Sequence, residues 1–473
     1  MKKISVFICV LVIVVIFTSC CVNSGQGEWE GDVVAAFTPV TGMEMMERLG
    51  MGINIGNTMD ARVHSENPWF TGCPITEMET IWGAAQIEPW QFAAIAQRGF
   101  STVRIPVSWE PRMVDDDFTI NPAWMDRVQQ VVDWALDEGL YVILNTHHEE
   151  YLYYFMHNGP HEDAERWLYA VWTQVSERFK YYPEKLMFEP MNEPRPGHDN
   201  WFWCPDRFAE EIPVLAATAN ELNTFVMDVI RTSGGYNDRR VVHLTTVQAD
   251  SNLIYLYEHP NDPYVMFGSF FYLGREDNQL TQISAGLERG IPIVIKETSP
   301  LEMPSEDMAR WSETYYAKLA ALGVPSVWWN TSGNGADDLF NRTTGEWNEP
   351  LAEIFFAAYG ANLGPAMPRP LFPHELTRAP NIGGLVQWIV PPNVLEAAER
   401  AVVEIDIDEL VGDYLFSANL TNEGWTQFRS GDERISKEPG RLVFDLSGLE
   451  IIEFGFMFLD SEDFERIRRA YLM

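Results

Sequence analysis

The sequence predicts an α/β chain, a closed (β/α)8 TIM barrel followed by a β-sandwich-like domain. Three observations point there. Between residues 51 and 360, apolar runs of strand length alternate with stretches of helical spacing, and parallel strands joined by helices close into a barrel at eight units. Two of the runs stop at glutamates: Leu186-Met187-Phe188-Glu189-Pro190-Met191-Asn192-Glu193-Pro194, and Ile291-Pro292-Ile293-Val294-Ile295 before Lys296-Glu297-Thr298-Ser299. Strand ends are where a parallel barrel carries its chemistry, because they form a rigid rim beneath loops that shape a cleft. Past residue 380 the hydrophobic period changes to two, with Val403, Ile405 and Ile407 alternating with Glu404, Asp406 and Asp408, the pattern of half-buried strands.

The chain opens with Met1-Lys2-Lys3 and the apolar run Ile4 to Phe17, the layout of a secretory signal and too short for a stable membrane span. Phe17-Thr18-Ser19-Cys20 resembles a bacterial lipobox. Residues 1–20 are therefore expected to be a signal peptide with a lipidated cysteine, and the protein a secreted or cell-surface bacterial lipoprotein that meets the membrane only through that anchor. Residues 21–38, polar and without periodicity, read as a tether. The barrel is expected over 39–363. Gly42 to Leu49 is a short helix and Met51 to Asp60 a strand whose glycines let the loop after it turn sharply. Glu88 to Arg98 has helical spacing and closes at Gly99. Strand Ser101 to Pro106 carries Arg104; helix Pro122 to Glu138 and strand Leu140 to Asn145 lead into Thr146-His147-His148-Glu149. Helix Glu162 to Tyr181 precedes the strand that delivers Glu193. Helix Val214 to Ser233, strands Arg240 to Thr245 and Tyr264 to Phe271, and helix Gln279 to Arg289 lead to the strand that presents Glu297. Helix Ser305 to Leu322, strand Val324 to Trp329 and helix Glu349 to Tyr359 complete the count. Residues 364–380 carry Pro365, Pro368, Pro370, Pro373 and Pro380, a stiff linker, and 381–473 the β-rich accessory domain, which either binds glycan through Trp388 or Trp425 or supports the barrel structurally.

Composition narrows the chemistry. The 473 residues include 69 acidic against 33 basic, a formal charge of −36. Such a surface repels phosphate backbones, so nucleic acid is excluded as a partner. Aromatic residues make up 13%, with 17 Trp, many beside Gly, Pro and Asn in loops; flat rings of this kind suit pyranose faces. Only Cys73 and Cys204 lie in the folded body, and they are able to pair in an oxidising compartment. No CxxC or HExxH pattern is present, so neither a metal nor another cofactor is expected. Two strand-end glutamates facing one cleft suggest carboxylate chemistry on a sugar.

These residues resemble glycoside hydrolase family 5, the cellulase-type clan of retaining β-glycanases, over about residues 40 to 360. Gly52-Ile53-Asn54-Ile55-Gly56-Asn57-Thr58-Met59-Asp60-Ala61 is similar to the first-strand motif of its endoglucanase and xyloglucanase branch. Gly99 to Trp109 is similar to the second-strand motif, His147-His148-Glu149 to the third and Phe188 to Pro194 to the fourth. The resemblance implies that Glu193 is the general acid and base, with a raised pKa, and Glu297 the ionised nucleophile. It implies that Arg104 keeps Glu297 a carboxylate, Asn192 holds the sugar 2-hydroxyl, His147 and Tyr272 orient carboxylates and sugar, and Trp329 floors the cleaved subsite. Asn57 and Trp109 are further substrate-binding candidates, as are Trp69, Trp82, Trp201 and Trp203 as sugar platforms. Glu189 reads as a buried structural acid, and His148 as a supporting or surface histidine. The chain departs from the family pattern at Phe270, where a His is usual, and at Lys296-Glu297-Thr298-Ser299, where Gly-Glu-Phe-Gly is common. The expectation is a monomeric, retaining, endo-acting β-glycanase on β-1,4-glucan or xyloglucan. The alternatives are a β-mannanase or mixed-linkage glucanase of the same fold, or a noncatalytic glycan-binding protein on a degenerate barrel.

Overall fold

A computed structural model of the chain describes residues 37–62, 78–149, 162–195, 210–272, 275–301, 303–332 and 335–366, and, towards the C-terminus, 377–378, 386–389, 400–405, 414–420, 424–429, 431–438, 441–445, 451–458 and 467–472. The leader, residues 21–36 of the tether, Cys73, Cys204, Trp69, Trp201 and Trp203 lie outside the described residues.

The alternation of apolar runs builds a closed parallel barrel. Its strands are β1 (Met51–Asn54), β2 (Thr102–Ile105), β3 (Tyr141–Asn145), β4 (Leu186–Glu189), β5 (Val242–Leu244), β6 (Val265–Phe270), β7 (Ile293–Thr298) and β8 (Ser326–Trp328), paired in chain order. β8 returns to β1 with Val327 opposite Gly52. The helices are α1 (Gly42–Leu49), α2 (Pro89–Arg98), α3 (Pro122–Asp137), α4 (Glu162–Phe179), α5 (Ile212–Thr232), α6 (Glu276–Glu288), α7 (Ser305–Ala321) and α8 (Glu349–Ala358).

The strand-and-helix alternation fails once. Between β5 and β6 the chain makes two 3-10 stretches, Val247–Ala249 and Ser251–Leu256, in place of the α-helix that eight full units require. Gln248 and Ala249 take positive φ of 54° and 50°, and the Asp250 side chain accepts from the Asn252 amide at 2.8 Å. Short polar side chains that bond the nearby backbone compete with helix, and Asp250, Ser251 and Asn252 are of this kind.

Strand period two sorts the side chains. Val103 and Ile105, Val142 and Leu144, and Leu186 and Phe188 face outward into the main core with the helices. Ile143, Met187, Met266, Val294 and Val327 face inward and form a separate cluster with Val40, Met45, Met46 and Leu49. Helix α1 is thus the floor of the barrel. It is held in register by a capping box in which Glu44 N donates to Thr41 Oγ1 and the Glu44 carboxylate accepts from Thr41 N. A Cβ at Gly42 would lie 2.5 Å from the Val265 carbonyl, so only glycine lets the helix start so near β6. Above this apolar floor the interior turns polar: Asn54, Arg104, Asn145, Glu189, His243 and Lys296 are all buried.

One strand breaks the period. In the β6–β7 ladder Ser269 pairs with Ile295 and the next residue, Phe270, pairs with Glu297. The extra residue is a β-bulge. It turns both Lys296 and Glu297 towards the barrel interior, where regular alternation would send one of them out to the helices.

The C-terminal strands form two antiparallel sheets. The first has the order β13 (Gly424–Arg429), β12 (Tyr414–Leu420), β16 (Ile451–Phe458), β10 (Val386–Ile389), β9 (Thr377–Arg378). The second has β14 (Ile435–Glu438), β15 (Arg441–Asp445), β11 (Arg400–Ile405), β17 (Ile467–Leu472). Phe428 of the first meets Phe444 of the second at 5.0 Å between ring centroids, a contact between facing sheets as in a sandwich. β9 lies inside the stretch read from sequence as linker.

Candidate active site

Arg104 on β2 is the hub of the polar layer. Its planar guanidinium offers five donors in a fixed fork, and the neighbouring strands supply acceptors for them. Nε and Nη2 grip Glu189 on β4 at 2.6 and 2.7 Å. Nη2 also reaches Asn192 Oδ1 at 2.7 Å, and Nη1 reaches Asn54 Oδ1 at 3.0 Å and Glu297 Oε1 at 2.5 Å. Lys296 adds a second buried cation, with Nζ 2.6 Å from Glu189 Oε1. Burial alone would raise the Glu189 pKa, but Arg104 and Lys296 hold it down at about 2. Glu189 is therefore the permanent counter-charge of the layer, as the sequence reading expected of it.

Glu297, on the bulged end of β7, is held at both oxygens. Arg104 takes Oε1, and the Tyr272 hydroxyl donates to Oε2 at 3.2 Å. Burial pushes its pKa up to about 7; Arg104 and Lys296 oppose the rise and the Glu193 charge adds to it. Burial thus works against the ionised state that the resemblance implies for Glu297, and Arg104 and Lys296 work for it. Burial and the charges of Glu297 and Glu193 also raise Tyr272 well above its ordinary value, so it stays a neutral donor. Glu193 follows β4 in the turn between Pro190 and Pro194. Its Oε2 accepts from Arg195 Nη1 at 2.7 Å, and Arg195 is only 7% exposed. The sequence reading missed Arg195. The available signal was its place two residues after a rim glutamate, with a rigid proline between them.

His147 and Trp329 form another wall. Their rings stack at 5.5 Å with an interplanar angle of 5°. Trp329 also packs on the cluster of Ala249, Phe270 and Tyr272, so it joins the histidine side of the cleft to the Glu297 side. Gly56 makes room for it: a Cβ there would lie 2.9 Å from the indole. Asn57, the next residue, is half-buried with φ 60°. Asn145 accepts from the Val107 amide through Oδ1 at 3.0 Å, so its Nδ2 is the atom that meets His147 Nδ1 at 3.0 Å. That geometry leaves the His147 proton on Nε2. Burial, with His148 and Arg104 nearby, lowers the His147 pKa well below the ordinary value, so the ring is neutral.

Asp60, His147 and His148 bring ligating atoms within 4.8 Å of one another. With the His147 lone pair directed at Asn145, the trio suits hydrogen bonding better than metal ligation. His148 Nε2 lies 3.7 Å from Asp60 Oδ2, the supporting position expected of it. Glu149 accepts from the Trp109 amide, and burial, with the Glu110 charge beside it, raises its pKa to about 8.

Trp109 requires a correction. Its side chain is 0% exposed and donates Nε1–H to the Asn145 carbonyl at 3.0 Å, so it belongs to the core and has no face to offer a sugar. Trp82 is 38% exposed, is hydrogen-bonded to the Arg62 carbonyl, and has its ring 5.4 Å from His148. It keeps its place as a candidate platform at the edge of this group. The structure thus gathers Arg104, Asn192, Glu193, Glu297, Tyr272, His147 and Trp329, with Asn57 beside them, and excludes Trp109.

Comparison with known proteins gives one direction. The family described as Cellulase (glycosyl hydrolase family 5) matches residues 64–335. Endoglucanase 1 of Ruminococcus albus is 32% identical over 348 residues, which cover 67% of this chain and 81% of that protein. Among solved structures, a GH5 family lichenase from Caldicellulosiruptor sp. F32 superposes with a TM-score of 0.61 at 26% identity, covering 69% of this chain and 97% of that one. A GH5 xyloglucan-specific endo-beta-1,4-glucanase from a metagenomic library, in complex with cellotriose, gives a TM-score of 0.58 at 30% identity, covering 66% and 97%.

Proposed function

Because the chain belongs to glycosyl hydrolase family 5 and is a glycoside hydrolase of the endoglucanase type, we propose that it cuts β-1,4-glucan or xyloglucan at internal bonds with retention of anomeric configuration. Glu193 protonates the glycosidic oxygen while Glu297 attacks the anomeric carbon and forms a glycosyl ester. Water, deprotonated by Glu193, then releases the sugar. The observation that carries this reading is the two-sided hold on Glu297. Arg104 and Tyr272 fix one oxygen each, leaving a carboxylate that is oriented and cannot rotate. Two coupled carboxyls retain one proton more readily than a lone one. Arg104 and Lys296 behind Glu297 favour the charge there, as a nucleophile requires. Asn192, oriented by Arg104, is placed to bond the 2-hydroxyl, and the stacked His147 and Trp329 offer a donor and a flat face. The structural relatives named above, a lichenase and a xyloglucan-specific endo-beta-1,4-glucanase, support a substrate of this class.

The test is a panel of xyloglucan, barley glucan, carboxymethyl cellulose and mannan, scored by reducing ends, with NMR of the first-formed anomer. Glu193→Gln and Glu297→Gln are each expected to lower kcat by about a thousandfold or more while circular dichroism stays unchanged. Wild-type turnover in either variant would remove that residue's role, and an inverted first product would remove the ester. Surface attachment through Cys20 is part of the same proposal, on the strength of the Phe17 to Cys20 motif. Cys20→Ser should move the protein from the membrane fraction to the medium, and unchanged partitioning would refute the anchor.

A further inference from the structure

Lys296 is fully buried, and it touches the segment that carries Glu193. Its Nζ donates to the carbonyl of Asn192 at 2.7 Å, to the carbonyl of Met191 at 3.3 Å and to Glu189 Oε1 at 2.6 Å. An ammonium has three protons, and these three acceptors use them all. The Phe270 ring covers the same group, 5.2 Å from its centroid to Nζ. Gly268 on β6 leaves space for the stem: a Cβ there would sit 3.1 Å from Lys296 Cδ. Ordinary strand alternation from Val294 turns Lys296 inward, and the β7 bulge then brings Glu297 in beside it.

We propose that Lys296 is a positioning residue for hydrolysis, an ammonium clamp that ties the backbone before Glu193 to the strand that carries Glu297, with Phe270 as its apolar cover. The proposal rests on the hydrolase reading above. It also accounts for Phe270 and Lys296, two of the places where the chain departs from the pattern it resembles, as parts of one arrangement. The clamp spans β4 and β7, so it fixes the two carboxyls against each other; a misplacement of about 1 Å between reacting groups costs on the order of a hundredfold in rate. The charged and titratable groups around Nζ are Glu189 on β4, Arg104 on β2, Glu297 beside it on β7, His243 on β5 and His147 after β3. Of these, Glu297 and Glu189 are the anions it stabilises. Removing the ammonium leaves Glu297 with less positive charge, so its ionised form is lost at higher pH.

The test uses the full chain with Lys296→Met, Lys296→Arg and Gly268→Ala, measuring kcat, KM, the pH profile and Tm. Lys296→Met is expected to lower kcat by about thirtyfold or more, with KM within about threefold. Its acidic limb should move up by about one pH unit. Lys296→Arg keeps the charge, so the limb should stay in place while kcat recovers only in part. Gly268→Ala crowds the stem and should lower kcat without moving the limb. Lys296→Met with wild-type kcat and limb overturns the proposal. So does a lower Tm with kcat restored on cooling and an unmoved limb, the signature of a purely structural lysine. Should Lys296→Met not fold, Lys296→Arg and Gly268→Ala decide, and wild-type kcat in both overturns the clamp. A wild-type protein inactive on every glucan counts against the hydrolase reading instead.

Discussion

Glu297 is a carboxylate kept where charge is costly, and its stability signature follows. Its pKa in the folded protein is about 7 against an ordinary 4.5, for reasons of burial first. Between those values the folded state binds more protons than the unfolded one, so this group makes stability fall as pH rises from about 4.5 to about 7. Glu189 has the opposite sign. Held at about 2 by Arg104 and Lys296, it contributes stability above its ordinary value that is lost as pH falls towards 2. Glu297→Gln is therefore expected to raise Tm at pH 8 by several degrees, the gain shrinking to nothing near pH 4.5. A Tm at pH 8 equal to or below wild type would show that Arg104 and Tyr272 outweigh the cost of burial. Active sites commonly trade stability for function in this way, and here the trade has an identifiable group.

At the scale of elements, the rim works because backbone and side chains exclude one another at a few points. Gly56 is such a point: its missing Cβ is the space that the Trp329 ring fills. Gly56→Ala should push the indole off His147 and raise KM for glucan by about fivefold to twentyfold, with kcat changed less, as read from initial rates over a substrate series. An unchanged KM would mean that Trp329 does not meet the sugar. The strands were legible because each is a short apolar run bounded by turn residues, and Glu193 and Glu297 because they end such runs. The 3-10 stretches between β5 and β6 were not, since their cause is local bonding by Asp250 and its neighbours and not a change in hydrophobic period. Trp109 read as a platform because its composition suits one; burial depends on the loop over it. The inward turn of both Lys296 and Glu297 was hidden for another reason. A bulge shifts strand phase by one residue, and nothing in the run Ile293 to Thr298 announces it.

For the whole molecule, the formal charge of −36 acts on substrates that carry charge and leaves neutral ones alone. Raising NaCl from 50 to 500 mM is expected to increase kcat/KM on carboxymethyl cellulose by about threefold to tenfold through screening. On barley glucan or xyloglucan the change should stay within about twofold under the same conditions. Equal salt response on both kinds of polymer would show that the field at the cleft is not set by the surface acids. The base of the barrel adds a different property. Because α1 closes one end with Met45, Met46 and Leu49, the buried ions above it are shut off from bulk water on that side and lie towards the opposite mouth. A polysaccharide lying across that mouth would act as a stopper. The number of protons beneath it would then be fixed at docking, and the buffer would regain its say only when the glycan leaves.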